Sequence, residues 1–193
     1  MRLAIVDFGC GNIGSVAIAL ERFGIEPVVT DAAETIGSAD KVILPGVGAA
    51  GYAMEQIDRR GLREPLRRLT QPVLGICLGM QLLFERSEEE ETECLGVIGG
   101  AVRKLEPSPG MPVPHMGWNR LSVGADDCGL CDGDYVYFAH SYACDPVPEA
   151  VATTRYSREV PAVVRRGNWL GAQFHPERSG AAGARFLKAF LDS

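Results

Sequence analysis

Four short apolar runs set the rhythm of the first half of the chain: residues 3–8, 28–30, 41–44 and 73–76. Runs this short, without polar alternation and bounded by Gly, Pro or Asp, predict strands buried on both faces of a parallel sheet. The segments between them are predicted helices, at about residues 14–23, 49–59 and 62–69. Three strand–loop–helix units in a row predict a doubly wound α/β sheet, whose ligands bind beyond the carboxyl ends of its strands. After residue 84 the pattern changes. The acidic run at 85–93 reads as a solvated loop or helix end. Residues 97–169 carry short alternating runs and prolines and read as mostly β, clearest at 135–138 and 162–165. An apolar strand near 169–174 and a helix over 180–191 close the chain. No linker or internal repeat interrupts it, so residues 1–193 are expected to form one domain.

Composition narrows the class. Hydrophobic content of 46% and charged content of 23% are ordinary for a globular protein. A net charge of −6 argues against a nucleic-acid partner, which calls for a basic face. The opening residues meet Asp7 too early for a signal peptide, and no apolar run approaches the ~20 residues that cross a bilayer. A cytoplasmic protein is expected. Its six cysteines then read as free thiols. Cys128 and Cys131 form a C-x-x-C without a second pair at ligand spacing, so neither a metal nor another cofactor is expected.

The chemistry concentrates where the fourth strand ends. Gly75-Ile76-Cys77-Leu78-Gly79 has the G-x-nucleophile-x-G spacing of a strand-to-helix elbow, with cysteine as the nucleophile. The glycines leave room for a turn too sharp for neighbouring side chains. An elbow places Cys77 at a helix N-terminus, where free N–H groups and the helix dipole favour a thiolate. The Leu78 N–H would face a developing oxyanion. The competing reading is a buried structural cysteine. A base and its orienter stand at the end of the last strand. Pro176 keeps His175 out of the α region, and an extended His175-Pro176-Glu177 would project the His and Glu side chains to one side. Gly9-x-Gly11-x-x-Gly14, with Asp31 some way downstream, also matches the dinucleotide fingerprint. Any tight turn out of a parallel strand favours the same glycines.

Two segments carry a family resemblance: Gly75-Ile76-Cys77-Leu78-Gly79-Met80-Gln81 and Gln173-Phe174-His175-Pro176-Glu177. They resemble the class I (triad) glutamine amidotransferases, a family with a flavodoxin-like α/β fold. Pro45-Gly46-Val47-Gly48, Pro114-His115-Met116-Gly117-Trp118-Asn119 and Tyr137-Phe138-Ala139-His140-Ser141-Tyr142 are similar to its histidine-biosynthesis branch. The resemblance implies glutamine hydrolysis with Cys77 as nucleophile, His175 as base and then acid, and Glu177 orienting His175. It implies an oxyanion hole from the N–H groups of Leu78 and Val47, flanked by Gly46 and Gly48. At rest, the Gly46–Val47 peptide is expected to turn its carbonyl, and not its N–H, toward the substrate. Gln81, Glu89, Ser141 and Tyr142 are then expected in the glutamine pocket, Glu89 at the substrate ammonium. Ammonia would pass to a (β/α)8 cyclase subunit in a heterodimer, docked near Asn12, Trp118, Tyr137 and Arg178. Arg178 departs from the lysine usual at that position.

Three other readings remain in view. One is a glutaminase of another pathway, serving anthranilate, aminodeoxychorismate or pyridoxal phosphate synthesis. The others are a non-catalytic regulatory subunit of the same fold and a nicotinamide-dependent oxidoreductase.

Overall fold

The computed structural model describes residues 1–124 and 128–193. In chain order the first half runs β1 (Leu3–Val6), α1 (Ile13–Glu21), β2 (Val28–Thr30), α2 (Ala33–Gly37), β3 (Lys41–Leu44), α3 (Ala50–Arg59), α4 (Arg63–Arg67), β4 (Val73–Ile76) and α5 (Leu78–Gln81). The second half runs β5 (Phe84–Ser87), β6 (Thr92–Glu93), β7 (Ile98–Lys104), β8 (His115–Val123), β9 (Tyr135–His140), β10 (Tyr142–Cys144), β11 (Ala150–Tyr156), β12 (Arg158–Arg166), β13 (Trp169–Ala172) and α6 (Gly180–Asp192).

Among the described residues the main sheet has nine strands in the order β2-β1-β3-β4-β13-β12-β11-β8-β9. Strands β2 to β13 of that order are parallel, and the rest are antiparallel. Strand periodicity divides the apolar runs between two cores. Ala4, Val6, Val42, Leu44 and Val73 face one side; Leu3, Ile5, Ile43, Leu74 and Ile76 face the other. The first side is covered by α3, whose Ala50, Ala53, Met54 and Ile57 recur at helical spacing. The second is covered by α1 and by α6, through Val16, Leu20, Phe186, Leu187 and Phe190. The doubly wound reading holds, and the late strand β13 sits beside β4, bringing the chain's two chemical motifs together.

Two expectations are corrected. The helix after Cys77 is a single turn, because the carbonyls of Leu82, Leu83 and Phe84 accept the N–H groups of Leu95, Val97, Ile98 and Gly96. The chain therefore turns into β5, and the acidic run belongs to a second, four-stranded sheet of order β10-β7-β5-β6. Residues 176–178, read as extended, instead form a 3-10 turn with Pro176 in its first position.

Candidate active site

Cys77 stands at the tip of the elbow with φ 54° and ψ −109°, a conformation that costs a non-glycine residue about 1–3 kcal/mol. Neighbouring backbone over-determines it. The Cys77 N–H donates to the Ala172 carbonyl of β13 at 2.7 Å. A Cβ on Gly75 would lie 2.6 Å from the Gly79 carbonyl oxygen, and one on Gly79 would collide with the Leu44 carbonyl oxygen. The glycine spacing is thus a packing requirement between β3, β4 and α5.

His175 and Glu177 meet as a pair. His175 is extended, φ −99° and ψ 96°, and the following 3-10 turn swings Glu177 back until its Oε1 lies 2.9 Å from His175 Nδ1. The two side chains are 8% and 1% exposed, so water does little to screen them. Glu177 Oε2 has no hydrogen-bond partner among the described residues. Burial disfavours a charged His175, but hydrogen bonds to Cys77 and Glu177 outweigh it and raise its pKa to about 10. Held between a sulfur and a carboxylate, the imidazole is thus biased toward its protonated form.

Neither N–H expected in the oxyanion hole is presented at the elbow. The Leu78 N–H donates to the Gly46 carbonyl at 3.3 Å, so the Gly46–Val47 peptide presents its oxygen at the elbow. The sequence pattern leaves the Leu78 donor open; in the structure that donor too is occupied. Val47 keeps a backbone outside the left-handed region, whereas Gly48 has φ +95°.

A cavity of about 210 Å³ opens beside Cys77, lined by Val47, Gly48, Leu78, Gln81, Glu89, Ser141 and Tyr142, and closed by Pro114, Met116, Ala139 and His140. All four pocket side chains expected from the sequence reach it. Glu89 Oε2 accepts the Ala50 N–H at 2.8 Å, which ties the acidic segment to the N-terminus of α3. Burial pushes the Glu89 carboxyl upward against the pull of that N–H. Gln81 Nε2 donates both to the Tyr142 carbonyl at 2.8 Å and to Gln173 Oε1 at 3.0 Å. Its remaining capacity toward a ligand is therefore its carbonyl oxygen.

His115 and His140 are directly opposed across β8 and β9. They share a hydrogen bond of 3.0 Å, and burial lowers their pKa values to about 4 and about 3. Both are neutral in the fold and become charged on unfolding below the ordinary histidine pKa of about 6.5. Unfolding then takes up protons, so stability falls as pH drops from about 6.5 toward 4. Each histidine contributes about 2 kcal/mol to that loss between pH 6.5 and 5. Urea unfolding midpoints measured over this range should fall, and His140→Leu should flatten the dependence. His175 acts in the opposite window: its contribution is complete below about pH 6.5 and fades as pH rises toward 10.

At the same sheet edge, Trp118 is 56% exposed and opposes Tyr137 across β8 and β9, ring edge to face at 6.2 Å. The Arg178 guanidinium lies over the Tyr137 ring at 4.7 Å, and Asn12 immediately precedes α1 without a side-chain capping hydrogen bond. Asp31, the acid of the dinucleotide pattern, pairs with Arg60 at 3.6 Å. The two members of the C-x-x-C part company: Cys128 is buried against the α6 side of the core and Cys131 is exposed. Burial pushes the Cys94 thiol up to about 11 and the Cys144 thiol well upward.

Two residues of the site carry no individual signal in the sequence reading. Gln173 is fully buried, with its Nε2 3.8 Å from Cys77 Sγ. Its position two before His175 in an extended run was the available clue. Ser179 Oγ donates to the His175 carbonyl at 2.7 Å and accepts the Tyr137 N–H at 3.0 Å, tying the histidine turn to β9.

Residues 4–193 match the family model for glutamine amidotransferase class-I. The chain is 49% identical over 193 residues to the imidazole glycerol phosphate synthase subunit HisH of Idiomarina loihiensis, covering 100% of this chain and 98% of that protein. The HisH subunit of Yersinia pseudotuberculosis is 46% identical over 196 residues, with 100% of each chain covered. Among solved structures, a glutamine amidotransferase superposes with a TM-score of 0.78 at 21% identity, over 100% of this chain and 98% of that one. A PurLQS structure from Thermotoga maritima gives 0.71 at 23%, over 99% and 97%. At these identities the structural matches speak to the fold.

Proposed function

The chain belongs to the class I glutamine amidotransferases, and from that premise we propose that Cys77, His175 and Glu177 hydrolyse glutamine to feed ammonia to a cyclase subunit of histidine biosynthesis. The observation that carries the assignment of roles is a relay of three side chains: an elbow cysteine beside the cavity, a histidine hydrogen-bonded to it, and a buried carboxylate holding that histidine. Cys77 attacks the side-chain amide carbon as a thiolate, its proton held by His175. The tetrahedral intermediate collapses as His175 delivers that proton to the leaving ammonia. A water, deprotonated by His175, then cleaves the thioester to glutamate and regenerates the thiolate. Glu177 keeps the imidazole oriented and compensates its charge. Glu89 lies where it can meet the substrate ammonium, and Ser141 and Tyr142 shape the same wall.

The resting geometry bears on control. With the Gly46 carbonyl capping the Leu78 N–H, neither oxyanion donor is available, and removal of even one costs roughly 10²–10³ in rate. The cyclase, with its nucleotide bound, is proposed to turn the Gly46–Val47 peptide over and release both donors. The test is glutamate release by the chain alone and with its cyclase partner and nucleotide. Large activation by the partner supports the reading, and full activity of the chain alone refutes the switch.

The partner is proposed to be a (β/α)8 subunit forming a heterodimer at the edge marked by Asn12, Trp118, Tyr137 and Arg178. Trp118 is exposed and not part of the core, so Trp118→Ala should leave the melting temperature nearly unchanged. The same variant should weaken association by about 2 kcal/mol, read as a higher Kd in titration calorimetry. Arg178 keeps a cation at this edge, with its planar group stacked on Tyr137.

A further inference from the structure

We propose that Gln173 is a further catalytic residue: its amide N–H, held in one orientation by a directed chain of hydrogen bonds, stabilises the Cys77 thiolate. The inference rests on the reading of Cys77 as the nucleophile. A glutamine amide has a donor end and an acceptor end, and what it does to a sulfur depends on which end it shows. One backbone atom decides this. The Tyr142 carbonyl only accepts, so the group of Gln81 facing it at 2.8 Å is the amide nitrogen. The second N–H of that nitrogen points to Gln173 at 3.0 Å, which must answer with its carbonyl oxygen. Gln173 is thereby turned with its nitrogen toward Cys77 Sγ at 3.8 Å. Gln173 is fully buried and Gln81 nearly so, which keeps water from competing for either end.

The other side of the Tyr142 carbonyl is filled in the same sense. His140 Nδ1 lies 2.7 Å from it and must carry the hydrogen, which leaves His140 Nε2 to accept from His115 Nδ1. His115 Nε2 in turn accepts from Asn119 Nδ2 at 3.3 Å. Both lone-pair directions of the carbonyl are thus occupied by donors, and Gln81 has no alternative orientation that satisfies it. Every member is neutral, so the chain fixes direction without adding charge beside the His175–Glu177 pair. The elbow supplies no compensating donor from the Gly46 side, where a carbonyl faces inward. Gln173 therefore adds a side-chain donor at the sulfur in the resting site, and again when the thioester releases its thiolate.

The test is the rate at which iodoacetamide alkylates Cys77 in the full chain, followed on the Cys77 peptide by mass spectrometry. Iodoacetamide reaches the buried Cys77 through the cavity, so the rate is followed across pH: the midpoint of its rise reports the thiolate, and its plateau reports access. Gln173→Met, close in size but without the amide, should slow alkylation about tenfold. Gln173→Glu still accepts from Gln81 but turns an oxygen to the sulfur, and should slow it at least as much. Gln81→Met, which frees Gln173 to rotate, should slow it a few-fold. Circular dichroism reports whether each variant folds, and the glutamate variant decides if the methionine one does not. A folded Gln173 variant alkylated as fast as the parent overturns the proposal. Parent Cys77 whose alkylation rises only near the ordinary thiol pKa of about 8.5 would instead overturn the nucleophile assignment, and this inference with it.

Discussion

Cys77→Ala should abolish glutamate release from glutamine in the complex with the cyclase while leaving synthesis from added ammonia largely intact. The reasoning is chemical and geometric. Alanine has no group that can form the thioester, and the remaining His175–Glu177 pair has no nucleophile within its reach. The fold should survive, because the elbow conformation is held by backbone: the bond to Ala172 and the close approach of Gly75 and Gly79 to neighbouring chain. The side-chain loss is a single sulfur at a site that opens onto a cavity. A loss of at least about 10⁴ in glutamine-dependent kcat is expected, comparable to removing a nucleophile from other catalytic triads. Loss of ammonia-dependent synthesis as well would make Cys77 a structural residue of the interface. Alanine at Cys94, Cys128, Cys131 or Cys144 should not reproduce the effect, since none of these lines the cavity.

The second large effect is a gain. Val47→Gly should raise glutaminase activity of the chain without its partner. Turning the Gly46–Val47 peptide over changes ψ of Gly46 and φ of Val47, and valine resists a positive φ by about 1–3 kcal/mol. Glycine at position 47 removes that resistance, so the donor orientation becomes populated without help. A rise of about tenfold is expected, well inside what two released donors could supply at roughly 10²–10³ each. Activity in the complex should change little, because there the partner already sets the orientation. Steady-state glutamate release with and without the cyclase distinguishes the cases. An unchanged rate for the variant alone would mean that Val47 does not hold the peptide in place.

The elbow was legible because its requirements are local: two glycines flanking a cysteine between an apolar run and a helix-forming segment. His175 and Glu177 were legible as partners, though for a partly mistaken reason. Their meeting depends on the 3-10 turn at Pro176, not on an extended face. The acidic segment was misread because its charges hide an inward Phe84 and Ser87, and its partner strand β7 lies beyond a second turn. The roles of His115, His140 and Gln173 depend on strand register and on which elements become neighbours. Nothing in the spacing of residues 115, 140 and 173 announces that Tyr142 will gather them. The one-turn length of α5 was likewise set by carbonyls captured from a later segment.

One residue at the proposed docking edge reaches further inward than its ring suggests. The Tyr137 carbonyl accepts the His175 N–H at 2.9 Å, and the Tyr137 N–H reaches back to the same turn through Ser179. Three residues later the same strand ends at His140, and two more bring it to the carbonyl that orients Gln81. The proposed grip and the proposed chemistry are thus strung on a single short length of backbone. On the proposed docking, a change of grip at this strand would act on His175 and on the cavity beside Cys77 simultaneously. Engineered affinity at Tyr137 should accordingly be scored by turnover as well as by binding.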